Sequence, residues 1–415
     1  MDSIDIEVIL KKHNTTSKAD IIRICNLYLC TKTLKHGSTF TQFSNVENSI
    51  LYDDVEKIII NDSNQGNEHT IDLSKVLINW YVYTLDKDGP QNDNHIDESG
   101  EEINLSTQWI LPCFDMNNLW ETLIYDSNIK ENLLKYAITM MKFADKGIDA
   151  NVIACNRVIL LHGPPGTGKT SLCKALAHKL SIRMQKRYKQ TVLVEINSHS
   201  LFSKWFSESG KLVTKMFTRI KEIIEDPNIL VCMLIDEVES LAHARDLCIS
   251  GNEPSDSVRV VNAVLTQIDQ IKGHSNVLIL ATSNMTAAID IAFVDRADVK
   301  QYLGLPSTNA IFHIYHSCIE ELIRAGVIQE KSEFQDYESL KHKNCASSEN
   351  ITLAKHLMNV SQASIGLSGR ALRKIPFLAY ALFLNGNSVN LDQFFEAMEK
   401  AIVQEFQQRT HFSKN

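Results

Sequence analysis

The chain has 415 residues, enough for two or three domains. Hydrophobic residues make up 44% and charged residues 22%, which is typical of a globular protein. The sequence contains no run of 18 apolar residues, so we expect no transmembrane helix. The formal net charge of −8 argues against a dedicated nucleic-acid binder, because neutralising phosphates needs an excess of basic residues.

The acidic start, Met1–Asp5, lacks the apolar core of a signal peptide, so we expect no membrane partner. Nine cysteines without a Cys-x-x-Cys pair favour thiols in a reducing compartment over a metal site.

The first region extends from Met1 to about Leu85 and predicts a small α+β domain. Val55–Ile60 and Val76–Leu85 have the apolar, β-rich composition of strands. Asp20–Cys30 is compatible with a strand or a short helix, and its periodicity does not decide between them.

A polar stretch follows over residues 86–100. It contains two glycines, one proline and many acids, so it predicts a linker or flexible loop that ends an N-terminal unit over residues 1–100. The alternative is a long excursion within one domain.

The second region, residues 101–306, predicts a doubly wound α/β domain with a parallel sheet. Short β-rich runs alternate with helical patterns, and nearly continuous apolar runs suit central strands that are covered on both faces. The four clearest runs are Val158–Leu161, Val192–Ile196, Leu230–Ile235 and Val277–Ala281.

The third region, residues 307–415, predicts a helical lid. Apolar residues recur at helical spacing and no strand-rich segment interrupts them. The predicted helical segments are 309–325, 352–360, 368–384 and 391–409.

A phosphate-binding loop lies between a predicted strand and a predicted helix. Residues 163–170 match the pattern G-x-x-x-x-G-K-[ST], in which glycines let backbone N–H groups face phosphate oxygens at a helix N-terminus. Lys169 is expected to reach the β- and γ-phosphates, and Thr170 to bind Mg²⁺. We assign ATP binding to Gly163, Pro164, Pro165, Gly166, Thr167, Gly168, Lys169, Thr170 and Ser171.

Polar residues follow the next two strands, where the carboxyl ends of a parallel sheet bind ligands. Asp236 is expected to help bind Mg²⁺, and Glu237 to orient and deprotonate the attacking water. Asn284 follows the strand Val277–Ala281 and is expected to sense the γ-phosphate or the water. The alternative for the two acids is an ordinary acidic helix N-terminus.

These motifs together resemble the AAA ATPases and, more narrowly, the pachytene checkpoint protein two family, also called thyroid hormone receptor interactor thirteen. The resemblance covers roughly Asn104 to Arg409. The AAA core is carried by residues 236–246, 259–269, 280–284 and 289–298. The narrower resemblance is carried by residues 203–209, 294–298 and 366–374.

The resemblance implies roles for two arginines and an adenine site. Arg296 is expected to reach the γ-phosphate of a neighbouring subunit, although many AAA proteins have two arginines here; the alternative is a salt bridge to Asp295 or Asp298. Arg370 in the lid is expected to contact the γ-phosphate of its own subunit. The residues matching the adenine site are Ile124 and Tyr125.

Lys204, Trp205 and Phe206 match the pore loop of AAA machines, in which aromatic side chains grip an extended polypeptide. The relatives usually have glycine where this chain has Ser207. A buried aromatic anchor between helix and sheet is the alternative.

The resemblance therefore implies a homo-hexameric ATPase that uses ATP and Mg²⁺ to convert HORMA-domain proteins from a closed to an open form, with a HORMA-like adaptor bound by the N-terminal region. It also implies roles in the spindle assembly and meiotic recombination checkpoints, and a location in nucleus and cytoplasm, on chromosomes or kinetochores during division. Three alternatives remain: a nucleotide-gated scaffold with little turnover, another AAA unfoldase, and a nucleic-acid motor, which the net charge disfavours.

Overall fold

The computed structural model describes most of the chain. The described residues are 3–12, 16–35, 37–43, 49–61, 71–96, 102–149, 152–197, 209–240, 256–284, 291–329, 349–384 and 389–412. Within these ranges, no helix has both the length and the apolar character needed to cross a membrane.

The N-terminal domain is a four-stranded sheet with two helices. Its strands are ordered β2-β3-β1-β4, with β1 in the interior, antiparallel to β3 and parallel to β4. The elements are β1 (Ser3–Leu10), α1 (Lys18–Cys30), β2 (Thr39–Phe40), α2 (Ser49–Asp54), β3 (Val55–Ile60) and β4 (Leu77–Thr84). The two predicted strands are confirmed as β3 and β4, whereas β1 was not predicted.

The segment whose periodicity was ambiguous is a helix. The Ser17 hydroxyl caps α1 by accepting a hydrogen bond of 3.2 Å from the Asp20 backbone N–H. The helix buries Ile21, Ile24 and Leu29, a spacing that places them on one face towards the sheet.

The interpretation of residues 86–100 as a linker or flexible loop is wrong for Gln91–Ile96. These residues form β5, which pairs antiparallel with β6 (Glu102–Leu111) at the edge of the second sheet. A boundary after residue 100 therefore divides a hairpin of the second sheet. The polar side chains are tolerated because an edge strand has one neighbour and faces water.

The second sheet has seven strands in the order β11-β7-β10-β9-β8-β6-β5. The first five are parallel, and β6 joins β8 antiparallel. Their bounds are β7 (Val158–His162), β8 (Gln190–Asn197), β9 (Ile229–Asp236), β10 (Val277–Ser283) and β11 (Val299–Tyr302). Separate apolar cores cover the two faces, which confirms the predicted doubly wound α/β domain.

Helices surround this sheet and then form the lid. The helices of the sheet domain are α3 (Leu119–Thr122), α4 (Ile129–Asp145), α5 (Lys169–Arg183), α6 (Ser209–Ile224), α7 (Asp256–Ile271) and α8 (Ile291–Val294). The lid helices are α9 (Thr308–Arg324), α10 (Glu349–Ala363), α11 (Gly369–Leu372), α12 (Ile375–Phe383) and α13 (Leu391–Phe412), which enclose their own apolar core. The predicted helical character of the third region is confirmed.

The lid approaches the loop before α5 closely. The Arg370 backbone N–H donates a hydrogen bond of 3.1 Å to the Gly166 carbonyl. Gly166 has φ +77°, and a Cβ there would lie 2.7 Å from the Ser368 hydroxyl oxygen. Glycine at this position therefore permits both the backbone conformation and the contact with the lid.

We expect Gly166→Ala to destabilise the protein more than Gly326→Ala, measured by denaturant unfolding without nucleotide. Gly326 is a matched control, because its φ is +74° and a Cβ there meets nothing within 4 Å. Both changes incur the left-handed penalty of about 1–2 kcal/mol. Gly166→Ala adds steric overlap with Ser368, a further cost of about 1–3 kcal/mol.

Adding Ser368→Gly to Gly166→Ala removes the nearest overlapping atoms and should restore part of the lost stability. Equal destabilisation by the two alanine variants would show that the lid does not press on this loop.

Candidate functional site

The loop between β7 and α5 is shaped by its glycines. Gly163 has φ +141°, and a Cβ there would lie 2.2 Å from the Leu303 carbonyl oxygen, so only glycine fits. Gly168 has φ +90° and directly precedes α5. The loop thus ends at the N-terminus of a 15-residue helix, where unpaired N–H groups and the helix dipole favour an anion.

Lys169 lies within this loop, with only 5% of its surface exposed. Its ammonium donates hydrogen bonds of 2.8 Å to the carbonyls of Gly163 and Pro164. Burial lowers the pKa of Lys169, an effect that the nearby carboxylates of Glu239 and Asp236 oppose. The Lys169 ammonium is therefore held inside the loop by backbone carbonyls.

Asp236 at the end of β9 accepts hydrogen bonds from two threonines. Thr170 Oγ1, in the first turn of α5, donates at 2.8 Å to Asp236 Oδ1, and Thr282 Oγ1 on β10 donates to the same oxygen. Hydroxyl and carboxylate oxygens are the ligands that Mg²⁺ accepts beside substrate phosphates, so Thr170 and Asp236 fit such an ion. Thr282 was not predicted; its place in the strand before Asn284 was the available signal.

Glu237 adopts an unusual backbone conformation next to Asp236. Its φ is +56°, and its N–H donates at 3.2 Å to Thr282 Oγ1. The Asn284 side-chain amide donates at 3.2 Å to Glu237 Oε1. Left-handed backbone at a non-glycine residue is concentrated at functional sites, where surrounding contacts hold it in place. The asparagine and the glutamate therefore form one unit.

Glu239 supports this unit and was also missed. It is buried, and its Oε1 accepts a hydrogen bond of 3.0 Å from the Asn284 backbone N–H. The acid two positions after Glu237 was the only local signal for it. Glu239 thus fixes the backbone of Asn284, whose side chain holds Glu237.

A cavity of about 190 Å³ lies between the phosphate loop, the ends of the strands and the lid. Among the predicted site residues, the structure brings together Pro165, Gly166, Gly168, Lys169, Thr170, Ser171, Asp236, Glu237, Asn284 and Arg370. The lid therefore contributes a guanidinium to a cavity otherwise built from the loop and the strand ends. Such a cavity, which is lined by the cations Lys169 and Arg370 and by the carboxylates Asp236 and Glu237, has the groups needed to bind and hydrolyse a phosphoanhydride.

Arg296 lies elsewhere, and in the described part of the chain it is not among the residues that line this cavity. Its Nε and Nη2 contact the two carboxylate oxygens of Asp269 at 3.0 and 2.7 Å. The alternative predicted a salt bridge of Arg296 with Asp295 or Asp298. Arg296 does form a salt bridge, but its partner is Asp269. Asp298 instead accepts the backbone N–H groups of Asn156 and Val158.

The two residues predicted for the adenine site lie between the sheet domain and the lid. The Tyr125 hydroxyl donates at 3.4 Å to the Thr167 carbonyl, and Ile124 packs against the apolar core of the lid. They adjoin the phosphate loop, but no contact with a base tests their role. The predicted pore residues Lys204, Trp205 and Phe206 lie outside the described residues.

Three family models match successive parts of the chain. The TRIP13 N-terminal domain matches residues 2–88, and the ATPase family associated with various cellular activities (AAA) matches residues 159–305. The TRIP13-like AAA+ ATPase lid C-terminal domain matches residues 307–406.

Full-length relatives agree with these matches. The pachytene checkpoint protein 2 homolog of Rattus norvegicus is 47% identical over 415 residues, covering 99% of this chain and 95% of the relative. The homolog of Xenopus tropicalis is 51% identical over 385 residues, covering 92% and 89%.

Solved structures extend the comparison to the fold. The structure of C. elegans PCH-2 superposes with a TM-score of 0.78 at 36% identity, covering 98% of this chain and all of that one. A chain in an E. coli HORMA:CdnC:Trip13 complex gives 0.52 at 19% identity, covering 71% and 94%, a likeness of fold alone. The chain belongs to the pachytene checkpoint protein 2, or TRIP13, family of AAA+ ATPases.

Proposed function

We propose that this ATPase is a Mg²⁺-dependent hexamer that grips HORMA-domain proteins and partly unfolds them, converting the closed form to the open form. The observation that carries the hexameric part is the separation of Arg296 from its own cavity. The cavity holds a lysine, a water-activating carboxylate and its asparagine, whereas Arg296 is bound to Asp269. An arginine outside its own site is suited to complete the site of a neighbouring subunit.

The hydrolytic step uses Glu237 as the general base. Its carboxylate takes a proton from a water molecule as the water oxygen forms a bond to the γ-phosphorus and the bond to the β-phosphate oxygen breaks. The hydrogen bond from the Asn284 amide fixes the Glu237 carboxylate during this step. Glu239 in turn holds Asn284 by accepting a hydrogen bond from its backbone N–H.

Lys169 changes partners when the triphosphate binds. Its ammonium exchanges the carbonyls of Gly163 and Pro164 for phosphate oxygens, which carry more negative charge. Thr170 and Asp236 would hold Mg²⁺, which neutralises developing charge on the phosphates when bound. Arg370 faces the same cavity, so the angle of the lid can follow the state of the nucleotide.

Glu237→Gln should retain nucleotide binding and lose steady-state turnover. Glutamine keeps a carbonyl oxygen for the Asn284 amide but cannot accept a proton from water, and loss of a general base lowers rates by about 10²–10⁴-fold. The measurements are ATP affinity by fluorescence titration and phosphate release. Glu225→Gln, at an exposed position, is the control, and normal turnover in Glu237→Gln would exclude this base.

Arg296→Ala should reduce turnover by about 10³-fold, the usual scale for an arginine supplied to a transferring phosphate. Mixing Arg296→Ala and Glu237→Gln subunits should restore part of the activity, because some interfaces then combine an intact base with an intact arginine. Arg324→Ala is the matched control, since Arg324 makes a similar two-point ion pair with Glu321 away from the cavity.

A mixing titration without recovery would contradict the action of Arg296 across the subunit boundary. It would leave the ATPase assignment untouched, since that depends on the cavity.

The protein substrate is proposed from the family. The E. coli structure named above contains a HORMA protein together with its Trip13 chain, which supports HORMA-domain substrates here. We also propose that the N-terminal domain binds a HORMA-like adaptor and that the protein acts in mitotic and meiotic checkpoints. It would lie in the nucleus and cytoplasm and be recruited to chromosomes or kinetochores. Trp205 and Phe206 are proposed to grip the substrate in the central channel.

ATP turnover should increase when a HORMA-domain protein and its adaptor are added.

Trp205→Ala should abolish closed-to-open conversion while sparing nucleotide binding. Removing the aromatic ring removes the contact area that grips the substrate chain. Conversion is followed by ion-exchange separation of the two HORMA forms. Unimpaired conversion by Trp205→Ala would refute the grip, and absence of stimulation would favour the nucleotide-gated scaffold.

A further inference from the structure

The N-terminal domain packs on the far end of the helix that begins in the nucleotide site. Ile182, near the C-terminus of α5, is buried in an apolar cluster with Ile9, Ile59, Tyr83 and Leu85 of the N-terminal unit. The cluster lies beside a set of charged side chains on α5 and β1. Both sets of contacts join the N-terminal domain to α5.

Glu7 of β1 is the centre of the charged set. Its side chain is 1% exposed, and Oε1 lies 2.8 Å from Lys179 Nζ and 2.7 Å from Arg183 Nη1. Oε2 accepts a hydrogen bond of 3.2 Å from the Tyr83 hydroxyl. Burial raises the pKa of Glu7, but Lys179 and Arg183 outweigh it and lower the pKa to about 2, so the group is a carboxylate at neutral pH.

The two cations of α5 also contact other groups. Lys179 donates at 3.0 Å to Asn61 Oδ1 and lies 3.2 Å from Glu121 Oε1. Arg183 Nε lies 3.1 Å from Asp5 Oδ2, and its guanidinium stacks 4.2 Å from the centre of the Tyr81 ring. Both cations are 4–5% exposed, so removing the N-terminal domain would leave two charges at a surface shaped to bury them.

Buried ion pairs of this kind make docking depend on every partner. Losing one partner leaves an uncompensated charge in a poorly hydrated site, whereas an exposed salt bridge contributes little. Replacing Glu7 alone should therefore weaken the docked arrangement more than replacing one partner of an exposed pair.

Helix α5 connects the docked N-terminal domain to the nucleotide site. Helix α5 runs from Lys169 to Arg183 without interruption, about 22 Å at 1.5 Å per residue. A helix of this length moves as a unit, so a displacement at Arg183 displaces Lys169 and Thr170. Their contacts with Gly163 and Asp236 depend on that placement.

We propose that Glu7 and Asp5 are positioning residues that dock the N-terminal domain on α5, and that docking of this domain and nucleotide affinity are thermodynamically coupled. By reciprocity, nucleotide binding then tightens docking by the same factor as docking tightens nucleotide binding. This coupling gives a partner bound to the N-terminal domain a route to the ATPase site. It does not depend on which protein is remodelled.

The test compares Glu7→Gln and Asp5→Asn with Asp145→Asn in the full-length chain. Asp145 pairs with Arg187, just beyond α5, at 2.9 Å, but it belongs to α4 and not to the N-terminal domain. Asp5 and Asp145 are similarly exposed, at 32% and 28%, so these two variants are matched. Asp5→Asn leaves the ion pairs of Glu7 intact. It is therefore the test variant if Glu7→Gln does not fold.

Two quantities are measured with ADP as the probe: its dissociation constant, and amide hydrogen exchange of residues 3–10 with and without ADP. In the unmodified protein, ADP should slow exchange in β1. Glu7→Gln should weaken ADP binding by about fivefold or more, the lower end of usual coupling, and abolish the ADP-dependent change in exchange. Asp5→Asn should act in the same direction with smaller size, and Asp145→Asn should change neither quantity.

Faster exchange in β1 with an unchanged ADP dissociation constant would show a purely structural contact and overturn the proposal. Exchange in the unmodified protein that does not respond to ADP would overturn it equally. Neither result bears on HORMA remodelling, which is tested by stimulation of turnover and by Trp205→Ala.

Discussion

The site depends on the fixation of α5 at both ends. At its start, Thr170 donates to Asp236 and ties the helix to β9, while Lys169 donates to two carbonyls of the preceding loop. At its end, Arg183 is bound by the N-terminal domain. Between its ends, α5 packs on the apolar core of the sheet through Leu172, Leu176 and Leu180. The phosphate loop is therefore positioned by the strand bound to Thr170, by its own carbonyls and by the packed helix that follows it.

The two acids at the end of β9 are positioned by a neighbouring strand. Thr282 on β10 donates to Asp236 and accepts the Glu237 N–H, so a single buried hydroxyl orders the last residue of β9 and the residue after it. This arrangement holds Glu237 at φ +56°, a conformation that a side chain rarely adopts without such support. Parallel pairing of β9 with β10 makes it possible, because both carboxyl ends then reach the same edge of the sheet.

Local patterns predicted the four strands β7, β8, β9 and β10, the phosphate loop and the acid pair, since each is encoded within a few consecutive residues. Strand β5 was missed because Gln91–Ile96 has no apolar alternation and forms a strand only by pairing with β6. The partner of Arg296 was missed because Asp269 lies 27 residues away, and Glu7 because its contact with Arg183 spans 176 residues. Contacts at such separations depend on the tertiary fold, which periodicity within one segment does not report.

The two arginine ion pairs differ in a way that matches their proposed roles. Arg296 and Asp269 are 25% and 36% exposed, so solvent screens the pair and separating it costs little. The hydrogen bond from Arg296 lowers the pKa of Asp269, and Lys272 lies 2.8 Å from the same carboxylate, which keeps a cation if Arg296 leaves. Arg183 and Glu7 are 5% and 1% exposed, so replacing either one alone leaves an uncompensated buried charge. The exposed pair is thus suited to exchange partners in every cycle, and the buried one to hold the helix while it does.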